Sequence, residues 1–181
     1  MRVGDIAAWR CARTIRGEVA GVRGDGDGWV FDPDGARYWG RHGAAGLLLC
    51  VRREAAGADT GGGFAILLQH RAVWSHQGGT WGLPGGARDS HETAVQAAVR
   101  EAHEETGIAE DQIQVLDEKV THEAVSGWTY TTVLARADAP IATTANGESA
   151  ELRWVPDDEV DTLPLHPGFG RSWPSLRKLL R

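Results

Sequence analysis

A mixed α/β fold, with helices packed on a sheet, is what this sequence predicts, and three observations predict it. Apolar runs of strand length precede and follow one central stretch of helical periodicity. In that stretch Val95, Ala98, Val99 and Ala102 recur at i, i+3, i+4 and i+7, which lays one apolar stripe along a helix. A second amphipathic segment, SWPSLRKLLR, closes the chain, with Leu176, Leu179 and Leu180 on one face and Pro174 near a helix start.

The elements follow in order. Residues 1–40 form a first block, an extension ahead of a main domain at 41–181. Its clearest feature is GWVFDPDGARYW, where Trp29–Phe31 and Arg37–Trp39 flank the turn-forming run Asp32-Pro33-Asp34-Gly35 and predict a hairpin. The preceding RGDGDG lacks the spacing and closing glutamate of a calcium loop and is expected to be a solvated, flexible loop. Ala44–Val51 and Phe64–Leu68 are a strand pair joined by the Gly/Ala-rich EAAGADTGGG. Trp74 to Gly86, rich in Gly and Trp, is expected to be loop. The central helix follows, with Asp89 and Glu92 spaced as a capping box and Gly107 as the left-handed residue after the last turn. Val115–Val120 and Trp128–Ala135 are strands, then a loop from Arg136 to Ser149 leads to a short strand around Leu152–Val155.

Composition narrows the class. The 181 residues are 41% hydrophobic and 24% charged, ordinary for a soluble domain. No apolar run approaches the roughly 18 residues that span a bilayer, and the N-terminus MRVGDIAAWR lacks the apolar core of a secretory signal. Cys11 and Cys50 make neither a disulfide framework nor a zinc spacing, so a reducing cytoplasm is expected. A net charge of −6 argues against a nucleic-acid or membrane-surface partner. It leaves room for a phosphorylated small molecule held through cations or arginines. Eight tryptophans are mostly expected to pack.

The chemistry gathers in REAHEETG, Arg100 to Gly107, where Glu101, Glu104 and Glu105 crowd one turn. Like charges at i,i+3 and i,i+4 cost a few tenths of a kcal/mol per pair. On a helical wheel the three carboxylates lie about 115° from the apolar stripe, beside the buried face. Carboxylate oxygens there suit a hard cation such as Mg²⁺ or Mn²⁺ that in turn binds phosphates. A solvated helix face is the plainer alternative for this stretch taken alone.

Its flanks carry more. GARDSHETAVQAAVREAHEETGI, Gly86 to Ile108, resembles the Nudix box of the Nudix hydrolases at every defined position: Gly86, Glu92, Arg100, Glu101, Ala102, Glu104, Glu105, Gly107 and Ile108. The resemblance implies a Nudix-type α/β/α sandwich, with a mixed β-sheet between helices. It also implies a loop–helix–loop in which Glu101, Glu104 and Glu105, with the carbonyl of Gly86, hold Mg²⁺ (or Mn²⁺) on a diphosphate. Arg100 would pair with one glutamate and aim it. Glu92 suits capping better than catalysis, and His103 is a packed or rim histidine. A general base is implied, Glu105 first, with Glu148 and Glu151 of NGESAELRWV as later-loop candidates. LLQHR places Arg71 where it could reach a phosphate, and WGLPGG, with Trp81, Gly85 and Gly86, resembles the family's usual entry to the box. Residues 1–40 have no counterpart there, and a lid, extra sheet or homodimer contact are the options for them.

The family cleaves a nucleoside diphosphate linked to another moiety, so the box names chemistry and not ligand. Marks of the NADH, ADP-ribose and diadenosine polyphosphate types are absent: no SQPWPFPxS-like array, no proline soon after the box, no tyrosine near 125–126. What remains is a MutT-like pyrophosphohydrolase of nucleoside triphosphates, oxidised or noncanonical ones included. A hydrolase of a nucleotide sugar, ADP-ribose or dinucleotide is the alternative, and a nonenzymatic nucleotide-binding module the weakest option. Trp74, Trp81, Trp128 and Tyr130 are candidates to stack a base, with plain packing the more ordinary role for each.

Overall fold

The structure, a computed structural model, describes residues 24–54 and 62–181. The first 23 residues of the N-terminal block, Cys11 among them, and residues 55–61 of the Gly/Ala-rich loop lie outside the described residues. The predicted hairpin forms from β1 (Trp29–Phe31) and β2 (Arg37–Trp39), paired antiparallel. Gly35 takes φ +84° at the turn, a conformation glycine adopts without strain.

A seven-stranded mixed sheet makes up the main body. It contains β3 (Ala44–Arg52), β4 (Phe64–Arg71), β5 (Trp81–Gly82), β6 (Gly85–Ala87), β7 (Gln114–Glu123), β8 (Thr129–Ala137) and β9 (Ser149–Pro156). β3 and β8 run parallel along eight residue pairs, Ala44↔Tyr130 to Val51↔Ala137. β3 and β4 pair only at Cys50–Arg52 with Phe64–Ile66. Beyond that they part, and the ribbon 81–87 lies in the opening: β5 pairs with β4, and β6 pairs with Ala44–Gly46 of β3. The loop expected at Trp74–Gly86 thus holds β5 and the start of β6, two strands too short to announce themselves by alternation.

β3 is buried for eight of its nine residues because both sheet faces are covered. On one face Leu47, Leu49 and Val133 pack on Ala97, Ala98 and Ala102 of helix α1 (Ala94–Thr106). On the other, Leu48, Ile66 and Leu68 pack on Phe169, Trp173 and Leu176 of helix α2 (Pro167–Leu176). These layers are the expected α/β/α sandwich. Three local readings change. Thr93 caps α1, with Gln96 completing the capping box, so the Asp89/Glu92 pair is not the cap. Pro167 is the first-turn proline of α2 behind the cap His166, and Pro174 lies inside the helix. β9 runs from Ser149 to Pro156, longer than its apolar core suggested. Among the described residues no helix is long and apolar enough to cross a membrane.

The hairpin is tied to this body. Asp32 accepts hydrogen bonds from the backbone N–H groups of Val125 and Ser126 in the β7–β8 turn (3.0 and 3.1 Å). Trp128 donates from Nε1 to the Gly40 carbonyl (2.8 Å), and Tyr38 stacks on Trp128 at 4.6 Å between centroids. The Asp-rich loop is anchored as well, contrary to its reading as flexible: buried Asp89 accepts from the N–H groups of Gly24 and Gly26 (3.0 and 2.8 Å). Asp89→Ala leaves those two donors without their acceptor and is expected to cost about 1–3 kcal/mol. Urea unfolding monitored by circular dichroism measures it; an unchanged midpoint would show that the anchor carries no stability.

Candidate active site

α1 presents its carboxylates unequally. Its buried face is formed by Ala97, Ala98, Val99, Ala102, Glu105 and Thr106, so Glu105 lies within the packed stripe rather than beside it, and Val95 is only partly buried. Glu105 is 4% exposed, and its Oε2 accepts the Gly85 N–H (2.9 Å). Burial pushes its pKa up to about 7, against the opposing pull of the nearby Gln69 side chain and the hydrogen bond from the Gly85 N–H. Glu101 is half-buried, and its pKa is also raised, by burial first; Arg100 opposes this, while Glu104 and Glu148 reinforce it. Glu104 is exposed, with Oε2 3.6 Å from Arg100.

Arg100 holds this cluster in register. Its Nε and Nη2 donate to Glu92 (2.6 and 2.9 Å), its Nη1 donates to Glu101 Oε1 (2.7 Å), and Nη2 also donates to the Ala87 carbonyl (3.0 Å). The forked partner is therefore Glu92, eight residues earlier, whose pKa Arg100 lowers. Glu92 also accepts from the Asp89 N–H (3.0 Å), so it pins the box loop to the helix instead of capping it. His103 is an exposed rim histidine whose Nδ1 lies 3.1 Å from the Ile108 carbonyl oxygen.

The loop side is built to meet these carboxylates. A Cβ on Gly86 would stand 2.6 Å from both Glu101 carboxylate oxygens, so only glycine lets the backbone approach so closely. Gly86, Glu101 and Glu105 are thereby brought together, an all-oxygen donor set beside partly desolvated negative charge. That set fits a hard divalent cation. Among the described residues the one trio whose potential ligand atoms lie within 4.8 Å of each other is elsewhere: Asp25, Asp89 and His91. Its carboxylates are occupied, Asp89 by Gly24 and Gly26 and Asp25 by the Ser90 N–H and hydroxyl.

The remaining candidates divide. Glu148 is exposed and adds to the negative field on Glu101. Glu151 is engaged in a fork with Arg153 (2.9 and 3.0 Å), which lies over Trp81. Trp81 is 4% exposed and stacks on His70 at 4.8 Å, so it packs the core. Trp74 is 70% exposed and Trp128 buried against Tyr38. Arg71 and Gly85 line a cleft of about 210 Å³ that also reaches Gly86, Tyr38, Trp128, Tyr130, His166 and Arg171.

Several of these residues carried no sequence signal. Tyr38 and Arg37 reach the cleft because the hairpin docks, and His166 and Arg171 because α2 starts beside β5, where the His166 N–H donates to the Trp81 carbonyl (2.7 Å). Gln69, 1% exposed, donates to Ser149 Oγ (2.8 Å), while its Oε1 is buried without a partner.

The Glu105 carboxyl has a stability consequence. In the metal-free protein it keeps its proton to about pH 7, whereas the unfolded chain releases it near 4.5. The unfolded state binds fewer protons across that window, so stability falls as pH rises through it. Glu105→Gln should remove this component, making the variant more stable than the parent by about 3 kcal/mol at pH 8 and nearly equal to it at pH 4.5. Urea unfolding in EDTA at both values measures the difference; parallel curves would contradict it.

Comparison with known proteins agrees with this geometry. The NUDIX domain family model matches residues 41–179. A Mycobacterium tuberculosis protein named "Putative 8-oxo-dGTP diphosphatase 3" is 58% identical over 160 residues, covering 86% of this chain and 71% of that protein. A Bifidobacterium longum "Nucleoside triphosphate pyrophosphatase/Nudix hydrolase fusion protein" is 39% identical over 159 residues, covering 86% of this chain and 32% of its own length. The solved structure of a Nudix hydrolase from M. smegmatis, RenU, is 59% identical, with a TM-score of 0.78 over 85% of this chain and 94% of that one. With a box complete in sequence and assembled in space, the chain belongs to the Nudix hydrolases.

Proposed function

We propose that the protein is a Mg²⁺-dependent pyrophosphohydrolase of nucleoside triphosphates, oxidised purine nucleotides included, releasing a nucleoside monophosphate and pyrophosphate. The observation that carries this reading is the meeting of Glu101, Glu105 and the Gly86 backbone at the edge of a cleft with aromatic lining. Glu101, Glu104, Glu105 and the Gly86 carbonyl would hold the ion; Mn²⁺ satisfies the same donors. When bound, the ion supplies positive charge to the phosphoryl oxygens and acidifies water nearby.

The chain's own residues do the rest. Arg100 fixes Glu101 through a charge-assisted hydrogen bond while Glu92 holds the other side of the guanidinium, so the carboxylate is positioned before substrate arrives. Water adds to phosphorus, the P–O bond to the departing pyrophosphate breaks, and the proton lost by the water passes to a carboxylate. Glu105 is the assigned base: it is buried beside the box loop, and the Gly85 N–H donates to its Oε2 (2.9 Å), which fixes the carboxyl in place. Glu148, which bears on Glu101, is the second choice; Glu151, already paired with Arg153, is the third. Tyr38, Trp128 and Tyr130 supply the flat apolar surfaces that suit a base, and Arg71 a cation for the phosphates. The mycobacterial relative's name supports an oxidised guanine nucleotide as first substrate to try.

Purified protein with Mg²⁺ is expected to convert 8-oxo-dGTP or another nucleoside triphosphate to monophosphate and pyrophosphate, and EDTA to abolish turnover. Glu105→Gln should lower kcat by about 10²–10⁴-fold, the usual contribution of a general base, with the fold intact. Wild-type turnover by the variant would remove Glu105 from catalysis. Faster release of products from ADP-ribose, nucleotide sugars or dinucleotides would replace the substrate class.

A further inference from the structure

The cleft is charged in a way the box does not account for. Its twenty lining residues include three arginines and three histidines and no aspartate or glutamate, in a chain of net charge −6. Arg37 comes from β2, Arg71 from the end of β4 and Arg171 from α2, and none of them forms an ion pair with a described residue. Like charges brought together by three separate elements repel unless an anion joins them.

Contacts of their own place these side chains. The Arg37 guanidinium lies 4.9 Å above the Trp29 ring, and His76 meets the same ring edge-on at 5.3 Å. Arg71 Nε donates to the His76 carbonyl (3.1 Å). At the other end, a Cβ on Gly168 would lie 3.3 Å from the His166 ring and 4.0 Å from Arg171 Nη2. His166 Nδ1 accepts the Gly168 N–H (3.1 Å), which leaves Nε2–H as a donor in the neutral ring. Burial, then the charges of Arg71, His76 and Arg171, drive the His166 pKa down to about 4, so the ring is neutral at working pH. The result is an arc from Arg37 through His76, Arg71 and His166 to Arg171, ending at the N-terminus of α2, the positive end of the helix dipole.

We propose that Arg37, Arg71 and Arg171 form a subsite for a phosphoryl group of the substrate beyond the anhydride being cleaved, the terminal phosphate of a nucleoside triphosphate. The proposal rests on the triphosphatase reading and specifies how the enzyme tells a triphosphate from a diphosphate. A guanidinium fork matches phosphate oxygens, and a neutral ligand would leave the repulsion in the arc uncompensated. Arg37 gives the hairpin, which precedes the segment matched by the family model, a share in substrate selection.

The test compares 8-oxo-dGTP with 8-oxo-dGDP, as substrate or competitive inhibitor, in the parent, Arg37→Gln, Arg171→Gln and the double variant. The double variant is expected to bind the triphosphate about tenfold or more weaker, with its affinity for the diphosphate changed less than about twofold. Equal weakening of both would mean that the arginines read the base, and no change would mean that they contact neither; either result overturns the proposal. Melting temperatures check folding, and if Arg37→Gln unsettles the Trp29 contact, Arg171→Gln alone decides. Calorimetry with inorganic triphosphate in EDTA is the second arm: the parent binds and the double variant binds about tenfold or more weaker, while no binding by the parent, or equal binding, contradicts the subsite. Absence of any nucleotide cleavage by the parent would instead sink the triphosphatase reading, and the calorimetric arm would still judge the subsite.

Discussion

The Arg100 guanidinium is the joint on which this site depends. One planar group donates to two oxygens of Glu92, one of Glu101 and the carbonyl of Ala87, and so ties the loop ahead of α1, the helix itself and strand β6 into one unit. A lysine could not repeat this, because an ammonium offers no fork. Partial burial makes the arrangement costly to break, since removing the guanidinium would leave Glu92 and Glu101 unpaired at 9% and 17% side-chain exposure. Glu101 is thereby held against Gly86 while Glu105 is held against Gly85, and the two carboxylates face one loop from successive turns of the helix.

The sheet provides the space in front of that loop. β3 and β4 pair at one end and part at the other, and the ribbon of β5 and β6 lies where they separate. Gly82, Leu83, Gly85 and Gly86 of this ribbon line the cleft. Aromatic residues of the hairpin and β8 contribute to its lining, as do arginines from β2, β4 and α2. The cleft thus adjoins a negative cluster in α1 and carries positive and apolar groups of its own, a distribution suited to an anionic ligand with an aromatic end.

Much of this was legible in sequence because the box is local. A helix of known period converts spacing into geometry, so the crowding of Glu101, Glu104 and Glu105 and the stop at Gly107 could be placed before any coordinates. The burial of Glu105 could not, since it depends on how α1 lies against β3 and β6, a tertiary contact that leaves Glu105 buried and Val95 partly exposed. The fork to Glu92 was missed for a related reason: three-residue spacing from Asp89 imitates a cap, and only the structure shows Thr93 in that place. Arg71, Trp128 and Tyr130 were named in advance, but the docking that brings the hairpin and its loop to the cleft was not legible. Asp32 and Ser126 are 94 residues apart in the chain, and Gly26 and Asp89 are 63 apart; no periodicity reports such contacts.

Direct location of the ion tests the central claim. Crystals grown with Mn²⁺ and measured for its anomalous signal should show a peak within coordination distance of Glu101 and the Gly86 carbonyl, about 2.0–2.3 Å from each oxygen. A peak confined to Asp25, Asp89 and His91, with none beside Glu101, would contradict the assignment of the box glutamates as the seat of the metal.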